Sequence, residues 1–129
     1  MADLQRFSRE HRLRKRAEYR RTYDQGRRAF GRWVVIFCRR REDDGPWRLG
    51  LTATRKAGGA VVRNRLRRVG REYFRHRART TPDGWDIVVN FRPIAREVRS
   101  AELGEDLEQT LARLGLAARA REGIAEPPC

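Results

Sequence analysis

Apolar and polar residues follow one another along the chain in a pattern that predicts a helix first and then two strands. The stretch from Lys15 to Gln25 is expected to be a short helix that Gly26 ends. The β-branched and aromatic run Trp33-Val34-Val35-Ile36-Phe37-Cys38 predicts a buried strand within residues 30–39. Residues 48–54 alternate and follow a turn at residues 42–46, so we expect them to pair back on the first strand as a hairpin.

The second half of the chain predicts a helix, a third strand and a last helix. Gly58-Gly59 precedes the longest helical pattern, from Val61 to about Arg77, and the strand is expected from Trp85 to Phe91. Ser100 is expected to cap the last helix, and this order of elements predicts a single-domain α+β protein with one sheet. We expect residues 1–14 to form a basic N-terminal arm, 15–118 the domain and 119–129 a frayed C-terminal tail. The apolar stripe of the last helix consists of Leu103, Leu107, Leu111 and Leu114.

The charge of the chain indicates a polyanionic partner. The 129 residues carry 31 basic and 17 acidic side chains, a formal net charge of +14, and all the basic ones except Lys15 and Lys56 are arginines. A field of this size attracts nucleic acid first and an anionic membrane surface second. Residues 1–41 carry a net charge of +10 and residues 60–80 of +7, whereas residues 81–129 carry −3. The polyanion site is therefore expected in the first two thirds of the chain.

The predicted helix that begins at Val61 separates apolar from basic residues. Only Glu72 offsets its cations, and like charges four residues apart destabilise an isolated helix. An ordinary solvated face does not explain this excess, so the helix is expected to bind nucleic acid. Arg65 and His76 lie near the border of the two faces. Val62, Leu66, Val69 and Tyr73 share the apolar face, and Arg63, Asn64, Arg67, Arg68, Arg71 and Arg75 spread over the opposite arc.

Two tyrosines and a pair of cations are further candidates for RNA binding. Tyr19 and Tyr23 lie one turn apart among arginines on the first predicted helix, where their rings could stack on unpaired bases. Spacing alone favours the other interpretation, an aromatic pair in the core. Arg55-Lys56 precedes the glycines before the basic helix and is a reasonable phosphate site, although the consensus of a P-loop is absent.

The residue patterns that accompany protein-based catalysis are missing from the sequence. His11 and His76 lie in basic surroundings without a cluster of metal ligands, and no Ser or Cys nucleophile has a base at a recognisable spacing. The acidic turn Glu42-Asp43-Asp44 could hold a hydrated divalent cation, but a solvated turn is the favoured interpretation. Two cysteines are too few for a disulfide framework, and neither a signal peptide nor a membrane-length apolar run is present, which favours the cytoplasm.

The stretch from Leu49 to Arg68, LGLTATRKAGGAVVRNRLRR, resembles the signature of the bacterial ribonuclease P protein family. Its centre is Arg63-Asn64-Arg65 followed by Arg67-Arg68, and it comes after a strand that ends in two cations. This combination is highly specific. The similarity extends from about residue 13 to residue 116 and includes residues 12–15, the tyrosine pair, Gly26 and Arg92-Pro93.

The resemblance implies a fold and a function. The fold is an α-β sandwich with an unusual left-handed β-α-β crossover that carries the basic helix, as in a domain of a ribosomal protein. The function is that of the protein subunit of a ribonucleoprotein endoribonuclease, which removes the 5′ leader of precursor tRNA. Catalysis is then carried by the RNA subunit, with Mg²⁺ bound mainly by that RNA. The implied partners are ribonuclease P RNA and precursor tRNA, with no membrane and no small-molecule substrate.

The same resemblance assigns residues to two sites. A cleft between the first helix and the sheet is expected to hold the leader, which places Tyr19 and Tyr23 in the cleft rather than in the core. Phe91 departs from the family pattern, because it stands where a cation is common after the third strand. The expected cleft residues are Arg12, Tyr19, Tyr23, Phe37, Arg55 and Lys56. The residues expected to contact the catalytic RNA are Arg63, Asn64, Arg65, Arg67, Arg68 and Arg71.

Two other functions compete with this one. A ribosomal or general RNA-binding structural protein shares the basic helix but predicts no stacking groove, so binding to an unpaired 5′ leader separates the two. A protein-only nuclease requires a carboxylate cluster for metal ions, and the sequence shows none.

Overall fold

Four strands and three helices make up residues 9–116, the part of the chain that this computed structural model describes. Residues 1–8 of the expected basic arm and the expected frayed tail at 119–129 lie outside the described residues. No helix between residues 9 and 116 is long and apolar enough to cross a bilayer. Short 3-10 turns occupy Arg9–His11, Arg55–Ala57 and Pro93–Glu97. The helices are α1 (Arg16–Gln25), α2 (Ala60–His76) and α3 (Ser100–Arg113), and the strands are β1 (Arg27–Phe30), β2 (Val34–Arg40), β3 (Arg48–Ala53) and β4 (Trp85–Phe91).

The strands form one mixed sheet in the order β1-β2-β4-β3. β2 is antiparallel to β1 and β4, and β3 is parallel to β4, so α2 connects two neighbouring parallel strands. The predicted hairpin between β2 and β3 is wrong, because β4 lies between them. β4 is buried at every position except Asn90, and such a strand needs a partner on each edge and a covering layer on each face. The α+β class with a single sheet is confirmed.

β1 is a strand that the residue pattern does not predict. Its side chains are mostly exposed and show no alternation, so pairing with β2 holds it in place rather than burial. The turn after it is fixed to α3, because the Asp106 carboxylate accepts the backbone N–H groups of Arg32 at 2.9 Å and Trp33 at 2.8 Å. A Cβ atom at Gly31 would lie only 2.7 Å from that carboxylate, so the close approach requires glycine.

The main core lies between one face of the sheet and helices α2 and α3. Val34, Ile36 and Cys38 are fully buried on this face. The predicted stripe of α3 is confirmed, since all four of its leucines are buried. The predicted side-chain cap is wrong, because Ser100 is the first helical residue and Arg99 takes the cap position without a side-chain hydrogen bond.

α2 packs on the sheet through the stripe that its sequence predicts. Leu66 and Val69 are buried, and Val62 and Tyr73 are half-buried at the margin of the contact. Phe74 is only 1 % exposed and is a core residue that the predicted stripe missed. The opposite arc of the helix is left for solvent or a partner.

A buried ion network on the other face of the sheet fixes α1 in place. Asp86 of β4 is fully buried, and its carboxylate accepts hydrogen bonds from Arg41 at 2.8 Å and from Arg48 at 2.7 and 2.8 Å. The guanidinium of Arg39 lies 3.8 Å from the same carboxylate and is a third positive charge beside it. Arg48 also donates to Glu18 of α1 at 2.8 Å, so this one guanidinium joins the helix to the sheet. The hydrogen bond from Arg48 to Asp86 raises the pKa of the guanidinium above its ordinary value.

Asp86→Asn is expected to lower the free energy of unfolding by about 3–5 kcal/mol, because it leaves buried arginine charge without its counter-ion. The matched control is Asp44→Asn. Asp44 pairs with Arg40 at 3.0 Å but is exposed, so its replacement should cost about 0.2–1 kcal/mol. Urea unfolding of both variants measures the difference, and equal losses would contradict a structural role for Asp86.

Candidate nucleic-acid interface

Six residues of α2 form a polar surface opposite the core, called the arginine face below. Its position follows from the helical period, because the core stripe occupies the other side of the same helix. Three of its arginines, Arg63, Arg67 and Arg75, are half-buried, and the remaining residues are exposed. The arginine face consists of Arg63, Asn64, Arg67, Arg68, Arg71 and Arg75.

Few internal hydrogen bonds satisfy the arginine face. Arg63 donates through Nε to the carbonyl oxygen of Gly58 at 3.2 Å, and Arg67 donates through Nη2 to the side-chain oxygen of Asn64 at 2.8 Å. The guanidinium groups of Arg68 and Arg71 have no hydrogen-bond acceptor among residues 9–116. Their donors are therefore available to a phosphate.

The guanidinium groups of this surface repel one another. Partial burial lowers the pKa of Arg71 below its ordinary value, and the positive charges of Arg67, Arg12 and Arg68 lower it further. Such a shift means that the folded protein disfavours the charged form, although arginine remains charged at any physiological pH. An anion bound between these side chains would relieve the repulsion.

Arg65 differs from the other arginines of α2. It is half-buried and donates to the backbone carbonyl oxygens of Val98 and Arg96, the latter at 3.5 Å. Its guanidinium therefore holds α2 to the segment that follows β4. The predicted border position agrees with this placement, and a contact with RNA would have to share the group with these carbonyls.

α1 covers part of the sheet face opposite the core and leaves a cleft beside it. The register places Phe37 and Gly50 on either side of Val88, so all three side-chain positions lie on this face. The ring of Tyr23 meets the ring of Phe37 edge-to-face, with centroids 4.7 Å apart. The Tyr23 hydroxyl donates to the side-chain oxygen of Asn90 at 3.1 Å. The cleft therefore combines two aromatic rings with an amide.

Tyr19 and Tyr23 are not core residues, so the interpretation that spacing alone favoured is wrong. Tyr23 is 37 % exposed, and Tyr19 is half-buried against the backbone of Gly50. A Cβ atom at Gly50 would lie 2.5 Å from the Tyr19 hydroxyl oxygen, so glycine is needed for this ring to approach the sheet. Burial, then the nearby Tyr23 and Glu18, raises the pKa of Tyr19 above its ordinary value.

The other expected cleft residues lie around the margin of this surface. Arg55 and Lys56 are exposed in the short turn after β3, about 10 Å along the strand from the position that pairs with Asn90. Arg12 lies at the outer edge of β3, where it bridges to Leu49 and approaches α2 rather than the pair Tyr23–Phe37. Phe91 does not change the charge of the cleft, because it is buried in the core on the opposite face.

Two polar residues of β4 that were not predicted from the sequence shape the site. Asp86 anchors α1, and Asn90 contacts Tyr23 in the cleft. Both interrupt an otherwise apolar strand, Trp85–Phe91, and both lie on the face opposite the core. A polar residue at alternate positions of a buried strand was the signal that could have marked them.

Two acidic side chains of the turn at residues 42–46 pair with arginines. Asp43 accepts hydrogen bonds from Arg41 and from the backbone of Gly45, which lower its pKa to about 2. Asp44 pairs with Arg40 in the same turn. No group of three potential metal ligands occurs within residues 9–116. The carboxylates of Asp43 and Asp44 in the turn at residues 42–46 therefore form ion pairs with neighbouring arginines.

The chain matches one family of known proteins. Residues 7–115 match the model of the family described as Ribonuclease P. The chain belongs to the ribonuclease P protein family. It is 41% identical to the ribonuclease P protein component of Gluconacetobacter diazotrophicus over 109 residues, which cover 84% of this chain and 94% of that protein.

Solved structures of ribonuclease P proteins share the fold. The protein of Staphylococcus aureus superposes with a TM-score of 0.78 at 27% identity, and the match covers 82% of this chain and 96% of that one. The protein of Thermotoga maritima gives a TM-score of 0.71 at 33% identity and covers 79% and 96%. Membership of the ribonuclease P family makes this chain a protein subunit of an RNA-based endoribonuclease.

Tyr23→Ala is expected to lower the free energy of unfolding by only about 1–2 kcal/mol, because the ring is partly exposed. Phe74→Ala is the matched control, since that aromatic ring is only 1 % exposed and its removal should cost about 3–5 kcal/mol. Chemical denaturation of both variants tests the placement. A loss for Tyr23→Ala as large as that for Phe74→Ala would return Tyr23 to the core.

Proposed function

We propose that this chain serves ribonuclease P by binding two RNA segments on two sides of its sheet. The arginine face of α2 binds the catalytic RNA, and the cleft beside α1 binds the unpaired 5′ leader of precursor tRNA. The general role, a protein subunit in tRNA processing, follows from family membership. One observation carries the finer assignment. The guanidinium groups of Arg68 and Arg71, which lack acceptors among residues 9–116, lie on the side of one sheet opposite the partly exposed aromatic rings of the cleft.

The arginine face suits a folded RNA better than a single strand. Its cations spread along a rigid helix, and the surface offers no aromatic ring between them. Such a surface contacts phosphates at fixed spacing and reads the shape of an RNA rather than its bases. Arg68 and Arg71 contribute most in this proposal, because their donors are free of other described partners.

The cleft suits unpaired nucleotides. Tyr23 and Phe37 present ring faces and edges on which bases stack, and the amide of Asn90 can donate to or accept from a base edge. Arg55 and Lys56 lie at the same end of the sheet and can hold the backbone phosphates. Stacking accepts every base, so a leader of varied sequence would bind here.

Hydrolysis is the task of the RNA subunit in this proposal. Mg²⁺ held mainly by that RNA supplies the Lewis-acid chemistry of phosphodiester cleavage. Two observations on residues 9–116 support this division: they contain no cluster of metal ligands, and Asp86, Glu18 and Asp43 already pair with arginines. The protein binds the leader and orients it, and we propose that it does so in the bacterial cytoplasm.

Replacing Arg63, Arg67 and Arg68 together by Ala is expected to weaken assembly with ribonuclease P RNA and to flatten its salt dependence. Each lost phosphate contact should reduce the slope of log affinity against log salt by about 0.7–0.9. Filter binding between low and high salt measures both effects. The control removes the same charge elsewhere through Arg79→Ala, Arg96→Ala and Arg99→Ala. Equal slopes for the two triple variants would contradict the assignment, and circular dichroism checks that both remain folded.

Tyr23→Ala in the reconstituted holoenzyme is expected to weaken binding of precursor tRNA by about 1–3 kcal/mol for each base that loses its stacking partner. Binding of mature tRNA, which lacks the leader, should stay unchanged. Tyr19→Ala should act in the same direction. The control is Ile94→Ala, since Ile94 is exposed and lies outside the cleft. Equal losses for precursor and mature tRNA would reject the leader cleft and favour a general RNA-binding role.

A further inference from the structure

A pocket of about 350 Å³ opens at the free edge of the sheet, away from the contact between Tyr23 and Phe37. It lies where residues 12–14 run beside the edge strand β3, with α1 on one side and α2 on the other. Its lining is divided into a basic part and an apolar part. Leu49 and Leu51 also pack on the core, but the pocket opens to solvent and leaves part of its lining accessible to a ligand.

The basic part is formed by Arg12 from the N-terminal segment and by Arg67 and Arg71 from α2. Arg12 and Arg71 are exposed, and the guanidinium group of neither has a hydrogen-bond acceptor within the described range 9–116. Burial and the charges of Arg67 and Arg12 lower the pKa of Arg71 below its ordinary value. Three guanidinium groups from two distant segments therefore converge without a carboxylate between them. A phosphate would satisfy their donors and cancel their repulsion.

The apolar part is formed by Leu49, Leu51 and the half-buried ring of Tyr19. A site for a free phosphate or for the phosphates of a duplex needs no such wall, because inorganic phosphate and an RNA backbone present no apolar surface. A nucleobase does present one, and it gains from contact with both aliphatic and aromatic side chains.

The edge of β3 adds backbone groups to this wall. The Leu49 carbonyl oxygen accepts the N–H of Leu13 at 3.0 Å, so the backbone groups of Leu49 face away from β4. Alternate residues of a strand direct their N–H and C=O groups to the same side, which places those of Leu51 toward the pocket. An unpaired strand edge is a ready partner for the polar edge of a base.

We propose that this pocket binds a single unstacked nucleotide of an RNA, with its base against Leu49, Leu51 and Tyr19 and its phosphate between Arg12, Arg67 and Arg71. The inference rests on the proposed RNA-binding function and adds a third contact at the junction of the two surfaces. A nucleotide in ribonuclease P RNA and one in the precursor leader have the same chemistry, so either RNA can supply it.

The test of the pocket uses adenosine 5′-monophosphate as the probe and the full chain as the protein. Nuclear magnetic resonance with labelled methyl groups follows Leu49 and Leu51 during three titrations, with the nucleotide, with adenosine and with inorganic phosphate. The nucleotide is expected to shift both methyl signals to saturation, and each half of it should bind at least about tenfold more weakly. Equal affinity for inorganic phosphate, with unshifted methyl signals, would reduce the pocket to an anion site and overturn the proposal.

Arg71→Ala is expected to weaken the nucleotide about tenfold, as loss of one charge-assisted hydrogen bond does. Its melting temperature should not fall, because the replaced charge repels its neighbours in the free protein. Arg79→Ala removes one exposed charge outside the pocket and should leave the titration unchanged. An equal effect of the two variants would show that only net charge matters and would reject the site.

A cross-link identifies which RNA supplies the nucleotide. Arg14 lines the pocket, so Arg14→Cys carrying an azidophenacyl group is expected to label one nucleotide of ribonuclease P RNA or one of the leader in the holoenzyme. Labelling of neither RNA would overturn the inference. The proposed function is tested separately by Tyr23→Ala, because Tyr23 does not line this pocket and the loss of leader binding expected for that variant is independent of it.

Discussion

The carboxylate of Asp86 is the interaction on which the functional geometry depends. It is fully buried, and it binds arginines from the end of β2 and from β3. Arg48 extends the network to Glu18, which is the polar anchor of α1 on the sheet. Because α1 is short and buries little apolar surface, this anchor sets how far its tyrosines stand from the strands. The ion network thus helps to set the width of the cleft, and Asp86 lies only two residues along β4 from Val88 and four from Asn90.

The protein uses its charges in two different ways. Several of its acidic residues pair with arginines within the fold, as Asp86, Asp43 and Glu108 show. α2 carries six arginines, and Glu72 is the only acid of the helix. These pairs lie within the fold, whereas the guanidinium groups of Arg68 and Arg71 have no hydrogen-bond acceptor among residues 9–116. Because these ion pairs lie within the fold, the domain can fold although the chain carries a net charge of +14.

The residue pattern predicted what local periodicity determines. α2, β4 and α3 were located nearly to the residue, because each has a long apolar repeat. Strand pairing was not predicted, since the pattern of β2 and β3 is the same whether they are neighbours or are separated by β4. The tyrosines of α1 show the same limit. Spacing gave their common face but not whether that face is fully covered, and the family resemblance supplied the better interpretation of their position.

One part of the candidate site could be predicted from local sequence, and the other part could not. The arginine face could be predicted from sequence, because it needs only the helical period of α2. The contact of Tyr23 with Asn90 joins residues 67 positions apart, and the pocket beside Arg12 brings together four segments. Contacts of this kind depend on the order of strands, which no local pattern encodes. The role of Arg65 in holding the segment after β4 was hidden for the same reason.

The central position of β4 also determines when the domain can form. Its partners in β3 and β2 lie between 38 and 57 positions earlier in the chain, so every pairing of β4 closes a long loop. During synthesis, α1, β1, β2, β3 and α2 emerge before β4 exists, and the apolar stripe of α2 then has no completed sheet to cover. Folding is therefore expected to be slow for a domain of this size and to end with the insertion of one strand. α2, the helix that carries the arginine face, therefore gains its full support only after β4 has paired.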